Sequence, residues 1–249
     1  PNGVFAANLS NKESIFSLAN SANNNPGVNA ALASQYKGRQ LVAISPILWN
    51  DPAWLADDKR REKTNFTDNS TTAMIIESST GGLYTNKYKD QKTLTDTSPL
   101  LRYAEVLLNR AEAKARTGDM AGALADLNAV RNRSLANPAT QAYTSFASVT
   151  DILKAIIMEK RIEFLAEGNR WADIHRLQKD DLIPTSGIPA KYANGAEPRK
   201  ADYKIGVPHV ISSRDVAAIP YSSHLFLWPI PTREVSANPV LAAQQNPGY

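Results

Sequence analysis

The apolar positions fall into two regimes, and the boundary lies near residue 98. Beyond it, Leu100, Ala104, Leu107, Leu108, Ala111 and Ala115 recur at the spacing of one helical face. This predicts a helix over 100–118, with Ser98 as N-cap, Pro99 at the first helical position and Gly118 as the stop. Asp119 can cap a second helix over 120–133, and the small residues Ala111, Ala115, Ala121 and Ala125 would let the two approach as an antiparallel hairpin. A third helix is expected from Thr150 or Asp151 to about Glu167, covered by Ile152, Ile156, Ile157, Phe164 and Leu165 and ended or kinked at Gly168. Trp171, Ile174 and Leu177 form one stripe of a short fourth helix.

Before residue 98 the pattern is shorter and broken. A polar opening leads to residues 13–18, whose rough alternation suits a strand, and then to the Asn- and Ser-rich loop 20–27. Residues 41–49 are apolar but interrupted by Pro46, and Asp57–Lys63 alternates in sign, as a solvated turn or helix start does. Two short apolar runs flank Gly81-Gly82 and fit a small hairpin or a loop. After the helices, residues 180–223 are rich in Pro and Gly and read as a long surface excursion, Gly195 included. Leu225–Trp228 looks like a buried extended segment locked by Pro229 and Pro231. The chain thus divides into a loop-rich part over 1–97, a helical core over 98–178, and an excursion with a Pro-rich end over 179–249.

Composition narrows the classes. With 249 residues, 43% of them hydrophobic, the chain can bury a sizeable core. The net charge of +4 comes from interleaved acids and bases, which argues against nucleic acid as a partner. With no cysteine, disulfides, thiolate metal sites and a Cys nucleophile are excluded. No apolar run reaches the ~18 residues a membrane span needs. No signal peptide is visible and the first residue is Pro1, so a processed form or a fragment is expected.

Candidate chemistry is sparse. Trp49 and Trp54 flank a polar, Pro-containing segment. They either pack under that loop or present a flat face to the apolar side of a sugar ring. Tyr36 is a weaker candidate of the same kind, whereas Trp171 and Trp228 sit on apolar patterns and read as core. His175, His209 and His224 are scattered, so no metal site is expected, and no nucleotide-binding or serine-hydrolase motif points to a cofactor. Glu159, Glu163 and Glu167 recur every four residues on one helical face. A di-metal bundle would need Glu-x-x-His pairs, and a glycosidase would need carboxylates on opposite sides of a sugar. One stripe supplies neither.

Four stretches together resemble the C-terminal half of the SusD/RagB family of surface nutrient-binding lipoproteins. They are residues 87–113, LNAVRNR at 127–133, EKRIEFLAEGNRWADIHR at 159–176, and LWPIPTREVSANPVLAAQQNPGY at 227–249. ESIFSLANS at 13–21 and DDKRR at 57–61 match more weakly. The resemblance implies a mostly α-helical fold of tetratricopeptide-like pairs with long irregular loops. It also implies a non-enzymatic protein that captures oligosaccharide at the outer-membrane surface and passes it to a SusC-like TonB-dependent transporter. Membrane attachment would run through a lipid anchor absent from this chain. Within the signature, Glu159, Arg161, Glu163, Glu167, Arg170 and Asp173 read as a buried ion-pair lattice rather than as catalysts. One tetratricopeptide-like pair is visible, at 111–130, and must pack on other helices. Two rival classes are a protein-interaction scaffold without saccharide binding and a glycoside hydrolase.

Overall fold

The structure, a computed structural model, describes residues 5, 11–65, 72–193 and 197–249. The polar opening, apart from Phe5, and Gly195 lie outside the described residues. The chain forms two compact units, one of residues 1–170 with 195–210 and one of 171–194 with 211–249. Among the described residues no helix is long and apolar enough to cross a membrane.

The first unit begins with β1 (Ser14–Leu18), as the alternation predicts. Next come a π turn at Ser34–Gly38 and the short helix α1 (Pro46–Trp49). Pro46 interrupts the apolar run by opening α1, and the Ser45 hydroxyl accepts the Ile47 N–H at 3.2 Å. Strand β2 (Lys63–Asn65) runs parallel to β3 (Ile75–Glu77), and β3 turns back antiparallel into β4 (Leu83–Thr85). Gly81-Gly82 therefore closes a hairpin.

The sequence reading fails first at Ser98-Pro99. Rather than capping a helix, Ser98–Arg102 forms β5, antiparallel to β1, with Ser17 opposite Pro99 and Leu18 opposite Ser98. The backbone of β1 offers this segment hydrogen bonds that a lone helix start lacks. The Tyr103 N–H donates to the Glu13 carbonyl at 2.8 Å just where α2 (Tyr103–Arg116) begins. Tertiary pairing outweighs a capping signal worth about 1 kcal/mol. The turn at Gly118 and the Asp119 cap form as expected, with the Gly122 N–H donating to Asp119 Oδ1 at 2.8 Å. They lead into α3 (Met120–Arg131), which packs on α2 through the buried Ala111, Ala115, Ala123 and Leu127, whereas the expected Ala121 and Ala125 are exposed. After the four-residue α4 (Pro138–Gln141), α5 (Val149–Glu163) starts on the Ser148 cap and packs against α2 and α3. The unit is thus helix-rich, with three strand pairings fewer residues long than any helix of its core.

Helix α5 stops four residues before the expected Glu167, and Ala166 takes a left-handed φ of 64°. Glu167 is therefore past the helix end. It nevertheless reaches the same buried lattice as Glu159 and Glu163. Arg60 donates to Glu159 Oε1 at 2.6 Å and to Glu163 Oε2 at 2.9 Å, and pairs with Asp58 at 2.7 Å. Arg102 bonds Glu163 at 2.7 Å, Glu13 at 2.6 Å and both Glu167 oxygens at 2.7 and 2.9 Å. Lys87 bonds Glu167 at 2.5 Å and the Glu163 carbonyl at 2.7 Å. Arg131 meets Glu159 at 3.3 Å, and Arg133 meets both Glu13 and Glu163.

Of the signature acids, Glu159, Glu163 and Glu167 thus share a lattice with cations from outside the signature, whereas Asp173 pairs with Arg176. Arg161 is not among these cations. Burial lowers its pKa, and the Asp51 charge only partly offsets this. Nor does Asp57–Lys63 form a solvated face, since Asp58, Arg60 and Arg61 are buried. Burial alone would raise the Glu163 pKa. The charges of Arg102, Arg133, Arg60 and Lys87 override it and hold the carboxyl well below the usual carboxylate range.

In the second unit, α6 (Asn169–Arg176) supplies its residues from Trp171 onward, and Asp173 pairs with Arg176 at 2.7 Å. Strand β6 (Gly187–Ile188) pairs antiparallel with β7 (Ile219–Pro220). The chain ends in α7 (Thr232–Ala237) and α8 (Pro239–Ala242). The terminal motif is tied back on itself: Gln245 exchanges two hydrogen bonds with Ile230, and the Tyr249 hydroxyl donates to the Leu227 carbonyl at 2.9 Å. Leu225–Trp228 is not a buried strand. Only Phe226 is buried, under His175 and Tyr221, because His224–Phe226 turns as a 3-10 helix and rotates its neighbours outward. Trp171 and Trp228, expected in the core, are 43% and 74% exposed.

Two outcomes are expected of the lattice. Glu163→Gln leaves three arginines short of a buried carboxylate and should cost about 3–5 kcal/mol in urea unfolding. Because the folded-state pKa of Glu163 lies below its ordinary value of about 4.5, its contribution is present above that pH and is lost as pH falls below it. Thermal melts from pH 7 to 3 should therefore show a shallower acid-side decline for Glu163→Gln than for the parent chain.

Candidate functional site

A surface concavity of the first unit grows from the segment that follows α1. Asn50-Asp51-Pro52 turns the chain, with the Ala53 N–H donating to Asp51 Oδ1 at 2.9 Å, and brings Trp54 back against Trp49. Their rings meet edge to face at 5.2 Å. The Arg61 guanidinium lies 4.4 Å from the Trp49 ring centre and 4.3 Å from that of Trp54, a double cation–π contact. Its Nε donates to the Leu55 carbonyl at 2.9 Å, and its Nη2 to the carbonyls of Trp49 at 2.7 Å and Trp54 at 2.6 Å. Its Nη1 has no hydrogen-bond partner among the described residues. Burial, opposed by Asp58, pulls the Arg61 pKa down to about 10.

A strap from the distant segment 197–205 completes the concavity. The Asn50 side chain donates to the Asp202 carbonyl at 2.9 Å and accepts the Lys204 N–H at 2.7 Å. The Tyr203 hydroxyl donates to the Ile44 carbonyl at 2.9 Å and accepts the Leu83 N–H at 3.2 Å, and its ring meets Trp49 edge to face at 6.1 Å. At the other end of the strap, Glu197 Oε1 accepts from Thr80 at 2.6 Å, from Ser78 at 2.9 Å and from Tyr84 at 2.9 Å. The Thr80, Ser78 and Tyr84 bonds lower the Glu197 pKa, while burial and the Glu197 carboxylate raise that of Tyr84. Gly81, at φ 90°, makes room for this docking: a Cβ there would lie 2.5 Å from the Lys200 Cβ.

Between hairpin, α1 turn and strap lies a cleft of about 240 Å³. Trp49, Leu83, Tyr203 and Ile205 supply its apolar lining, and Arg61, Lys63, Glu77 and Lys200 its charges. The volume sits near the lower end of small-molecule sites, about 300 Å³. A second concavity of similar size, by Leu18, Pro26 and Leu94, has no aromatic lining. A void of about 20 Å³ beside Trp54, Arg60 and Glu163 could hold little more than one water.

The three aromatic candidates come out differently. Trp49 lines the cleft, but as a wall: it is 2% exposed and Arg61 lies over its ring. Trp54 is 1% exposed, so it offers no face to a ligand. Tyr36 stacks on Tyr88 at 6.1 Å, where burial raises its pKa. Packing under the loop therefore describes Trp49 and Trp54 better than sugar stacking, because a buried cation already occupies their faces. Sequence reasoning missed Arg61, placed in a solvated run, and Tyr203, Lys200 and Ile205, placed in a featureless excursion. The aromatic Tyr203 among Pro and Gly residues was the one available signal. Glu159, Glu163 and Glu167 form no separated acid pair. Among the described residues no group of three or more His, Asp or Glu side chains is disposed to hold a metal ion.

The strap's docking gives a third expectation. Gly81→Ala both strains a left-handed backbone and drives a Cβ into Lys200, so unfolding should be easier by about 1–3 kcal/mol. Protease cleavage within 197–205 should accelerate, which limited proteolysis with mass spectrometry would detect.

Residues 12–249 match the family model described as the SusD family. Among solved structures, a SusD superfamily protein from Bacteroides fragilis is 27% identical with a TM-score of 0.65, covering 96% of this chain and 48% of that one. A SusD superfamily protein from Bacteroides thetaiotaomicron is 22% identical (TM-score 0.64, covering 99% and 50%). A SusD-like carbohydrate binding protein from Bacteroides vulgatus is 20% identical (TM-score 0.64, covering 96% and 50%). At these identities the last two show the fold alone. The chain spans about half the length of these solved relatives. No curated protein matches it. With a family match that runs from just before β1 to the terminal Tyr249, the chain belongs to the SusD family.

Proposed function

We propose that this protein captures saccharide without cleaving it, in the cleft between the β3–β4 hairpin and the 197–205 strap. The observation that carries the reading is the lining itself. Tyr203 and Ile205, backed by the buried Trp49 and Leu83, face a rim of charged hydrogen-bonding groups. That combination suits a ring with apolar C–H faces and a polar edge. Family membership supports it. A non-enzymatic role is favoured by where the carboxylates sit: the Glu159, Glu163 and Glu167 side chains are tied to buried guanidinium and ammonium groups and none of them lines the cleft.

In the cell we place the protein at the outer-membrane surface, held by a lipid anchor and delivering oligosaccharide to a SusC-like TonB-dependent transporter. Co-purification of the complete protein with that transporter tests this part; separate elution after mild crosslinking counts against it. A second reading, a tetratricopeptide-type interaction scaffold, draws on the α2–α3 hairpin and on exposed Ile15, Phe16, Leu100 and Leu101 of β1 and β5.

Isothermal titration against neutral and acidic oligosaccharides separates the two readings. Capture predicts binding of about −4 to −8 kcal/mol, that is, millimolar to micromolar. Product analysis should find no cleavage. Ile205→Trp, which fills the cleft from an exposed position, should weaken binding at least about tenfold with the melting temperature unchanged. Transporter binding without saccharide binding would favour the scaffold.

A further inference from the structure

We propose that the cleft selects saccharides that carry an anionic group, a carboxylate of a uronic acid or a sulfate ester. This rests on the capture reading and adds the class of ligand. Three cations line the cleft, Arg61, Lys63 and Lys200, against one carboxylate, Glu77. Lys63 and Glu77 neutralise each other at 2.7 Å, which leaves as the remaining positive charge Lys200 and Arg61, the latter offset by the Asp58 and Asp51 charges but ion-paired to neither among the described residues.

Arg61 differs from every arginine of the neighbouring lattice. Arg60, Arg102 and Arg131 are as deeply buried, yet each pairs with at least one carboxylate. Arg61 is 5% exposed and spends its bonds on three neutral carbonyls, and Nη1 is left without a partner among the described residues. A buried guanidinium held only by carbonyls and ring faces retains an unmet preference for an anion. Burial has already weakened its hold on its proton, which an arriving anion would restore. A neutral sugar meets neither need. Lys200 belongs to the strap, whose backbone packs on Gly81, so its side chain starts from a fixed point at the edge of the cleft.

The test is isothermal titration of the whole chain with three oligosaccharides of equal length: a galacturonate, a sulfated galactan and a neutral galactan. At least one anionic ligand should bind about tenfold more tightly than the neutral one at low salt. That advantage should shrink at about 0.5 M NaCl, where the screening length is only a few Å. Lys200→Gln should reduce the anionic affinity severalfold and by a larger factor than the neutral affinity, so that the ratio between them falls, with the melting temperature unchanged. Which anionic ligand is preferred tells carboxylate from sulfate. Arg61→Lys, if it folds, should narrow the ratio further; if it does not, Lys200→Gln carries the test alone. Equal affinities across the three, or an anionic preference untouched by Lys200→Gln, would overturn the selectivity and leave capture standing. Silence from all three would overturn capture itself.

Discussion

The first unit depends on a charge balance that only one arrangement of the chain satisfies. Glu13, Asp58, Glu159, Glu163 and Glu167 meet Arg60, Lys87, Arg102, Arg131 and Arg133, five acids against five bases. They come from the start of β1, the turn before β2, the end of the hairpin, the end of β5, the end of α3 and the end of α5. Each alone would be an expensive buried charge. Together they are tolerable, although an apolar cluster of the same volume could stabilise as much or more. What the lattice adds is register. A slip of β5 by one residue would turn Arg102 to the opposite face and leave Glu163 and Glu167 short of a cation, a cost no alternative packing recovers.

The lattice also explains where the sequence was readable and where it was not. The α2–α3 hairpin, Gly118, the Asp119 cap and the body of α5 follow from local patterns, and the structure has them. The Ser98-Pro99 cap and the extension of α5 to Glu167 rested on equally good local signals, and both lost to the same long-range demand. Arg102 must leave an extended strand, and Glu167 must leave a left-handed turn, to reach one another. Periodicity carries no trace of a partner 65 residues away. The same blindness placed Asp57–Lys63 on the surface, since alternating charge looks solvated until the balancing charges are known. It placed Trp228 in the core, since the outward rotation comes from a 3-10 turn that apolar content does not announce.

Of the candidate site, the sequence yielded a neighbourhood rather than a set of residues. Trp49 marked the right turn for a reason that proved structural. Its indole and that of Trp54 hold Arg61, and Arg61 in turn holds three carbonyls that shape the turn. The opposite wall could not have been found by motif. It is a strap more than 140 residues later, docked through the Asn50 side chain, the Tyr203 hydroxyl and Glu197. These contacts are made largely to backbone or to short hydroxyl side chains, so they constrain few residue types and leave no periodic signature.

A difference in how two adjacent arginines are paired links the lattice to the cleft. Arg60 and Arg61 sit side by side in one 3-10 turn, and both are buried. Arg60 points its charge at carboxylates, which raise its pKa well above normal against the cost of burial. Arg61 faces carbonyls and rings, and its pKa falls. The turn is held rigid from the lattice side by the first and presents the second to the cleft already placed. On the proposed reading, a cation positioned in this way would lose little entropy when an anion arrives. Stability of the lattice and the proposed reception in the cleft would then be two consequences of one buried turn, divided between neighbouring side chains.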